Sequence, residues 1–346
     1  TAVVLPSMDA SVEALHRHRA EFERVTAPAL GAPDAVEVAL SKPRTLALAE
    51  SLGLRTPATH AVGSPGELAA AVAELGLPAV LKPETSWHDL PEGGGERTAP
   101  LLLEHEADLA RAPAVPALLQ EVVPGVRETV KLFRQDGRTL ATLLMRCDRT
   151  WPPLGGSSVM RETIAPPDDV VDAAQRLVAE IGLEGYAEVE FRRDRAGRPV
   201  LMEVNPRLSQ SVELALRAGV DFPRMQVEWA RGGRVEPVSR YAVGVRVGWL
   251  AGEARLLAAA LTGSGPPPRP RAGETAAAIL RDYVVRRAAI EGLSWRDPAP
   301  VLGALAFAVG GVTRRGSRRP SSSPGSPRRR PSASRRRSPR GAAGDE

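Results

Sequence analysis

The chain has 346 residues, of which 43% are hydrophobic and 25% charged, a composition typical of a folded protein with room for two or three domains. No apolar run approaches the roughly 20 residues that cross a bilayer, so we expect no membrane-spanning segment. The single cysteine, Cys147, excludes an intramolecular disulfide and a multi-cysteine zinc site, and it favours a cytoplasmic protein.

The net charge of +5 is unevenly distributed. Residues 313–346 contain eleven arginines and only two acids, so this segment carries +9 and the remainder about −4. Its Arg, Ser and Pro content predicts a disordered tail. Three interpretations remain open: an incidental tail, a mis-called end of the gene, or an arm for nucleic acid or an acidic surface. No aromatic residue lies among the arginines to stack on bases, which weakens the nucleic-acid interpretation.

Lysine is rare in this chain. Only three of the 46 basic residues are lysines, namely Lys42, Lys82 and Lys131. Because arginine does not reproduce the compact point charge of an ammonium group, the retained lysines are candidates for positions where the chemistry requires one.

The first part of the chain alternates strands and helices. Ser11 is the predicted cap of the first helix, Pro43 suits the first turn of the second, and Lys82 ends an apolar strand. The predicted elements are a strand at 2–9, a helix at 11–25, a helix at 42–54, a strand at 56–62, a helix at 64–76 and a strand at 78–83.

The second part contains two predicted β-hairpins. A loop with Gly93–Gly95 comes first; its amides are candidates for covering phosphates, with a plain hairpin tip as the alternative, and no Walker-type sequence is present. Then follow a strand at 116–125, a hairpin at 127–146, a turn-rich loop at 151–158, a helix at 167–183 and a hairpin at 186–206. The predicted class is α+β, with antiparallel hairpins packed on helices.

The last hairpin carries a cluster of oxygen ligands. Strand alternation places Glu190 on the face of its strand that also holds Glu188. On the partner strand, Leu201, Glu203 and Asn205 are predicted to share one face. If Arg193 pairs with Arg198 across the turn, Glu190 lies opposite Leu201 and diagonal to Glu203.

Adjacent carboxylates repel each other unless a cation lies between them. Two carboxylates and an amide oxygen form a ligand set that suits Mg²⁺, with its remaining ligands taken from substrate phosphates. Arg207, just past the strand, is placed to reach a phosphoryl oxygen or a substrate carboxylate. The alternative is a solvated hairpin face whose acids pair with Arg192 and Arg198.

The segment "GYAEVEFRRDRAGRPVLMEVNPRLSQSVELALRAGVDFP" closely resembles the signature of the ATP-grasp superfamily. It has an acid on one strand, Glu-x-Asn-x-Arg on the next, and then a helix ending in Ala-Gly. The resemblance runs from Ser41 to Pro223 and is greatest to carboxylate-amine ligases and carbamoyl-phosphate-synthase-like large-chain domains. It implies the ATP-grasp fold, in which two α+β subdomains grip ATP.

The resemblance also implies site residues. Lys82 and Arg207 match the catalytic residues, and Arg207 would contact the transferred phosphoryl group or the acyl phosphate. The implied nucleotide contacts are Lys42 and Lys82 at the phosphates, the hinge residues Glu121 and Val123 at the adenine edge, and Glu128 at the ribose. The implied ligands of two Mg²⁺ ions, or of Mn²⁺, are Glu190, Glu203 and Asn205. Arg146 and Arg161 are further candidates for phosphate or substrate contacts, and the resemblance assigns no role to Lys131.

The implied reaction joins a small-molecule carboxylate to an amine through an acyl phosphate, with ATP converted to ADP and phosphate. The loops at Gly93–Gly95 and Gly155–Ser158 are candidate lids, and a homodimer is compatible with this reaction. Two alternatives remain: a catalytically weak ATP-binding regulatory module, and a nucleic-acid or partner-binding protein that uses the arginine tail.

The resemblance also predicts a division of the chain. Only a short segment precedes Lys42, where relatives carry a complete α/β domain, so a truncated pre-domain is expected there. The predicted units are a remnant of that domain at 1–40, the ATP-grasp domain at 41–235, a helical appendage at 236–312 and the disordered tail at 313–346.

Overall fold

The structure is a computed structural model that describes residues 2–84, 87–89, 95–97, 99–112, 116–265, 268–294, 297–300 and 303. The predicted tail at 313–346 and most of the predicted lid at Gly93–Gly95 therefore lie outside the described residues. None of the helices in the described ranges is both long and apolar enough to span a membrane.

The N-terminal segment forms a small unit beside the main domain. Strands β1 (Val3–Val4) and β2 (Ala27–Pro28) pair in parallel. The first helix begins two residues before the predicted cap, because the Ser11 hydroxyl accepts hydrogen bonds from the amides of Ser7 and Met8 from within the first turn. The helices are α1 (Asp9–Arg17), α2 (Arg19–Glu23) and α3 (Pro33–Leu40), the last of which was not predicted.

The next unit is a small antiparallel sheet with one helix packed on it. The elements along this part of the chain are α4 (Lys42–Ser51), which packs on the large sheet, and then β3 (Thr59–Val62), α5 (Pro65–Leu75), β4 (Ala79–Pro83), β5 (Trp87–Asp89), β6 (Gly95–Arg97), β7 (Leu101–Leu103) and β8 (Ala117–Glu121). Among the described residues, four strands form one sheet in the order β3-β8-β4-β7, and β5 pairs with β6 separately. Leu68 and Val72 of α5 pack on this sheet. The helices and strands predicted at 42–54, 56–62, 64–76 and 78–83 are confirmed as α4, β3, α5 and β4.

The large sheet carries most of the core. Over the described part of the chain it has seven strands, in the order β13-β12-β9-β10-β11-β14-β15. They are β9 (Arg127–Gln135), β10 (Arg138–Trp151), β11 (Ser157–Thr163), β12 (Gly185–Arg193), β13 (Pro199–Asn205), β14 (Arg246–Gly248) and β15 (Ala289–Ile290). Because β14 and β15 extend this sheet, the segment predicted as a helical appendage is helical only in part.

Helices cover both faces of the large sheet. One face packs against α3, α4 and α6 (Asp168–Ile181), and the other packs against α7 (Val212–Arg217) and α8 (Phe222–Ala230). In α6, two aspartates stabilise the positive end of the helix dipole, and Gly182 ends it in the left-handed conformation at φ +72°. Helices α9 (Leu250–Thr262) and α10 (Ala272–Leu280) follow β14, and a π-helical turn (Arg281–Val285) leads towards β15.

The hairpin of β12 and β13 differs from the predicted register by a β-bulge. Phe191 pairs with Leu201, but Glu190 pairs with Glu203, so Met202 is an extra residue on β13. Leu201 therefore packs in the α6-side core. The prediction that it shares a face with Glu203 is wrong. The bulge brings Glu203 directly opposite Glu190, closer than the diagonal that the sequence predicted.

Candidate active site

The oxygen ligands predicted for a metal converge at one end of the β12–β13 hairpin. Glu190 lies opposite Glu203, and Glu188 lies opposite Asn205. The Asn205 side-chain amide donates a hydrogen bond to Oε1 of Glu203 at 3.1 Å. These side chains lie on the sheet face that points away from the α6 core, because Val189, Phe191 and their neighbours in β13 fill the opposite face.

Two partly buried carboxylates in direct opposition perturb each other. The pKa of the Glu190 carboxyl is raised to about 7, mainly by burial; Arg127 opposes this change and the charge of Glu203 adds to it. Burial would also raise the pKa of Glu203, but Lys42, the Asn205 amide and Lys82 together hold it below its ordinary value. The pair is therefore a site where added positive charge would be stabilising.

The donor set fits a hard divalent cation that is shared with a substrate. In the part of the chain that the structure describes, no group of three or more His, Cys, Asp or Glu side chains could enclose a metal ion. Two carboxylates and an amide oxygen would leave several coordination positions to water and phosphate oxygens, which is the usual arrangement for Mg²⁺ in proteins.

Two lysines approach this pair from different elements. Lys42 begins α4, which packs against β13, and it lines an open cavity together with Glu203 and Asn205. Lys82 lies on β4 of the small sheet, so the small and large sheets meet at the carboxylates. The pKa of Lys82 is lowered to about 8, mainly by burial, with Glu203 opposing that change and Lys42 adding to it.

Arg207 connects the hairpin to the N-terminal unit. Its Nε donates to Oδ1 of Asp9 at 2.5 Å, and a terminal nitrogen donates to Oδ1 of Asn205 at 3.1 Å. Asp9 and Glu13 of α1 line the same cavity as Lys42. The first residues of the chain therefore form one wall of the site.

The predicted hinge lies between the two sheets. The Glu121 amide donates to the carbonyl of Ala58 at 3.0 Å, and the Glu121 carboxylate accepts from the Ala58 amide at 3.1 Å. Arg192 of β12 donates to the carbonyls of Val123 at 3.5 Å and Gly125 at 2.8 Å. The hinge backbone is thus attached to the small sheet at one end and to the large sheet at the other.

Glu128 is not brought to the carboxylate face. Its side chain accepts a hydrogen bond from Arg193 at 2.9 Å, and Arg193 also contacts Asp169 at the start of α6. The reason is strand alternation: Arg127 and Lys131 of β9 occupy the face that holds Glu190. Glu128 therefore lies on the α6 side of the sheet, and its predicted contact to a ribose stays a prediction.

The two additional arginine candidates lie in different environments. Arg146 contacts Asp148 at 2.8 Å and Glu162 at 2.9 Å, and it lies opposite Glu128, on the α6 side of the sheet. Arg161 is fully buried and lies 2.6 Å from Glu291 in an ion pair. Arg146 is therefore not brought to the site, and Arg161 is held within the protein by its own counter-ion.

Sequence reasoning missed Arg127 as a site residue. It lies 3.5 Å from Glu190 and donates to the Ser158 hydroxyl at 2.5 Å and to the Gly156 carbonyl at 3.1 Å. Arg127 thereby connects the carboxylate pair to the predicted lid at Gly155–Ser158. Strand alternation along β9 was the sequence signal that could have found it, because every second residue shares a face and Arg127 therefore lies on the face of Lys131.

The structure also supplies a partner for Lys131, to which no role had been assigned. Lys131 forms a buried ion pair with Glu188, which lies beside it on β12. Burial alone would raise the pKa of Glu188, but the Lys131 ammonium, the Ser209 hydroxyl and Arg207 together outweigh this effect and lower the pKa to about 2. Glu188 is therefore already neutralised by the protein, whereas Glu190 and Glu203 face each other.

Comparison with known proteins yields a family match over the centre of the chain. A family model described as "ATP-grasp in the biosynthetic pathway with Ter operon" matches residues 114–253. The carbamoyl phosphate synthase large chain of Thermus thermophilus is 29% identical over 184 residues, which are 50% of this chain and 18% of that relative. The D-alanine–D-alanine ligase of Pseudomonas entomophila is 26% identical over 206 residues, 54% of this chain and 62% of that relative.

Solved structures share the fold. An ADP complex of N5-carboxyaminoimidazole ribonucleotide synthetase aligns with a TM-score of 0.57 at 18% identity, covering 81% of this chain and 80% of that one. The biotin carboxylase domain of Hydrogenobacter thermophilus 2-oxoglutarate carboxylase, solved with MgADP, ADP and bicarbonate, also gives 0.57 at 18% identity, covering 71% and 57%. At such identities the likeness concerns the fold, and the sequence matches agree with it. The chain therefore has the ATP-grasp fold, and its residues 114–253 match an ATP-grasp family.

Proposed function

We propose that this chain is an ATP-dependent ligase that joins a carboxylate to an amine and converts Mg-ATP to ADP and phosphate. The observation that carries the proposal is the opposed Glu190–Glu203 pair with Lys42 and Lys82 beside it. A metal triphosphate has the complementary charge pattern, because its cation would satisfy the acids and its phosphates the lysines. The proposed reaction class is taken from the sequence relatives. The chain spans 18% of the length of the carbamoyl phosphate synthase large chain and 62% of the length of the D-alanine–D-alanine ligase.

The proposed nucleotide site uses the hinge and both sheets. The adenine edge would meet the backbone of Glu121 and Val123, and the phosphates would lie towards Lys82 and Lys42. Glu190, Glu203 and Asn205 would hold Mg²⁺, which supplies charge neutralisation at the phosphates when it is bound. Residues 41–235 would form this module, with β14 and β15 completing its large sheet.

The proposed chemistry needs no nucleophile from the protein. A substrate carboxylate oxygen bonds to the γ-phosphorus as the bond to the ADP oxygen breaks, which gives an acyl phosphate. The amine nitrogen then bonds to the acyl carbon, loses a proton and displaces phosphate. Lys82 and Arg207 would stabilise the negative charge that builds up on the phosphoryl oxygens. Arg127, through its contacts to Gly156 and Ser158, would hold the lid that excludes water from the acyl phosphate.

The test is Mg²⁺-dependent release of ADP and phosphate, measured across a panel of amino acids and other small carboxylates and amines. We expect release that requires one substrate of each class. ATP binding measured by calorimetry comes first, since a protein that does not bind ATP would contradict the proposal. Binding without turnover on any substrate pair would favour the regulatory-module alternative.

Nucleotide affinity is expected to weaken as the pH rises through about 8. The reason is that Lys82, with its pKa lowered to about 8, is neutral above that pH in the free protein. Bound phosphate favours the ammonium form, so binding at higher pH must take up a proton, and affinity should fall about tenfold between pH 7 and pH 9. Calorimetry in two buffers of different ionisation enthalpy measures both effects.

The matched control for this prediction is Lys82→Arg, because guanidinium stays charged over that range. Its affinity should be nearly flat with pH and its binding should take up no proton. The same slope in the wild-type protein and in Lys82→Arg would show that another group is responsible.

A further inference from the structure

We propose that Lys131 is a positioning residue that holds the loop after β13, and with it Asn205 and Arg207, in the geometry that the site requires. This inference rests on the proposed function for its catalytic consequence. It does not depend on that function for its structural content. We call the group formed by Lys131, Tyr186, Glu188, Ser209 and Ser211 the Lys131 anchor.

The contacts of the Lys131 anchor run from the centre of the large sheet to the loop. The Lys131 side chain is 0% exposed, and its Nζ donates to the Glu188 carboxylate. The same nitrogen donates to the hydroxyls of Ser209 at 3.0 Å and Ser211 at 2.7 Å. One ammonium therefore binds a strand residue and two residues of the loop at once.

The two serines are also bonded within the Lys131 anchor. The Ser209 hydroxyl donates to Glu188 at 2.7 Å, and the hydroxyls of Ser209 and Ser211 are 2.8 Å apart. Glu188 is in turn the residue opposite Asn205 in the hairpin. The chain from Asn205 to Ser209 is therefore fixed to Glu188 at both ends, by strand pairing at Asn205 and by a hydrogen bond to the carboxylate at Ser209, and Arg207 lies between those ends.

A purely structural ion pair would not need this arrangement. Lys131 and Glu188 face each other on neighbouring strands and could neutralise each other without the loop. The hydroxyls of Ser209 and Ser211 are bonded to the same buried ammonium as Glu188 and Tyr186 of β12. This arrangement fixes the loop at a defined distance from the sheet. Because Arg207 contacts Asn205 and Asp9, a displacement of this loop would move Arg207 relative to Glu203 and break its contacts to both partners.

The choice of lysine is consistent with this role. A compact ammonium can donate in several directions within a small space, whereas a guanidinium needs a planar space and longer reach. The Tyr186 hydroxyl lies 3.2 Å from Nζ, and its ring centroid is 5.9 Å away, which closes the remaining side. Lys131 has no exposure through which it could touch a substrate, so its effect must pass through the loop.

The experiment separates the loop contacts from the ion pair. Ser209→Ala/Ser211→Ala removes both hydroxyls and leaves Lys131 and Glu188 paired. The first measurement is amide hydrogen exchange of residues 207–211 in the nucleotide-free protein, which we expect to speed up by about tenfold. Ser51→Ala/Ser264→Ala is the control, because it also removes two bonded hydroxyls, both of them exposed and outside the site.

The second measurement is steady-state kinetics with Mg-ATP. In Ser209→Ala/Ser211→Ala we expect kcat to fall by about tenfold or more. The Mg²⁺ concentration needed for half-maximal activity should rise. The affinity for ATP measured without Mg²⁺ should change by less than about twofold. Ser209→Thr keeps a hydroxyl and should retain more activity than Ser209→Ala. Equal losses in Ser209→Thr and Ser209→Ala would overturn the positioning role.

The two proposals fail in different ways. If the exchange at residues 207–211 is the same in Ser209→Ala/Ser211→Ala and in the wild-type protein, the Lys131 anchor does not hold the loop, whatever the activity. If exchange speeds up but the kinetics with Mg-ATP are unchanged, the catalytic part of the inference is wrong. If the wild-type protein neither binds nor turns over ATP, the proposed function fails, and the exchange measurement still decides whether the loop is held.

Discussion

Glu203→Gln is expected to lower Mg²⁺-dependent nucleotide turnover by on the order of 10³-fold. Glu203 lies opposite Glu190 and accepts a hydrogen bond from the Asn205 amide. The charges of Lys42 and Lys82 lower its pKa. Glutamine keeps the shape but removes the charge, so the cation would lose one of its two carboxylate ligands. A loss of about 4 kcal/mol in transition-state stabilisation corresponds to that factor. Steady-state release of ADP and phosphate measures it.

Glu180→Gln is the matched control, because Glu180 is an exposed residue of α6. Its turnover should equal that of the wild-type protein. Circular dichroism of Glu203→Gln should show an intact fold, since the substitution keeps the side-chain volume. Turnover within about tenfold of wild type in Glu203→Gln would contradict the assignment of this carboxylate to the metal.

Lys131→Met is expected to lower the free energy of unfolding by about 3–5 kcal/mol. Methionine fills a similar volume, but it leaves Glu188 buried without its counter-ion and leaves the hydroxyls of Ser209 and Ser211 without their donor. Urea denaturation at pH 7, with the midpoint and slope both fitted, measures the loss.

The double variant Lys131→Met/Glu188→Leu tests the cause of this loss. A buried ion pair can often be replaced by apolar residues, so the double variant should recover the part of the free energy that is lost through the unpaired Glu188 charge, while the Ser209 and Ser211 hydroxyls still lack their former partners. A Lys131→Met variant that loses less than about 1 kcal/mol would show that the pair contributes little to stability. A double variant as unstable as the single one would point to poor packing of methionine as the cause.

The sequence predicted which oxygen-bearing side chains of the β12–β13 hairpin lie together better than it predicted their register. Alternation along β12 is regular, so Glu188 and Glu190 share a face as predicted. The partner strand contains the bulge at Met202, and neither Leu201 nor Met202 carries a sequence signal that marks an extra residue there. Leu201 was therefore assigned to the wrong face, and Glu203 was placed diagonal to Glu190 instead of opposite it.

Side-chain partners across long separations were the least predictable feature. Nothing local to Lys131 indicates Ser209 and Ser211, because their contact depends on three strands and a loop that come together only in the folded sheet. The same reason applies to Arg207 and Asp9, which are 198 residues apart. The ribose contact predicted for Glu128 stays a prediction, because the resemblance alone did not say on which face of β9 its side chain would lie.

The contact between Asp9 and Arg207 links the start of the chain to whatever anion the site binds. An anion that displaces Asp9 from Arg207 removes one of the bonds that hold α1 in place. Thermodynamic reciprocity requires the converse with the same free energy: a molecule that holds α1 more firmly against Arg207 weakens binding of that anion by an equal amount. If Arg207 binds an anion as proposed, the N-terminal helix and that anion would compete for one guanidinium, and the mobility of a helix that is remote in sequence would report occupancy of the site.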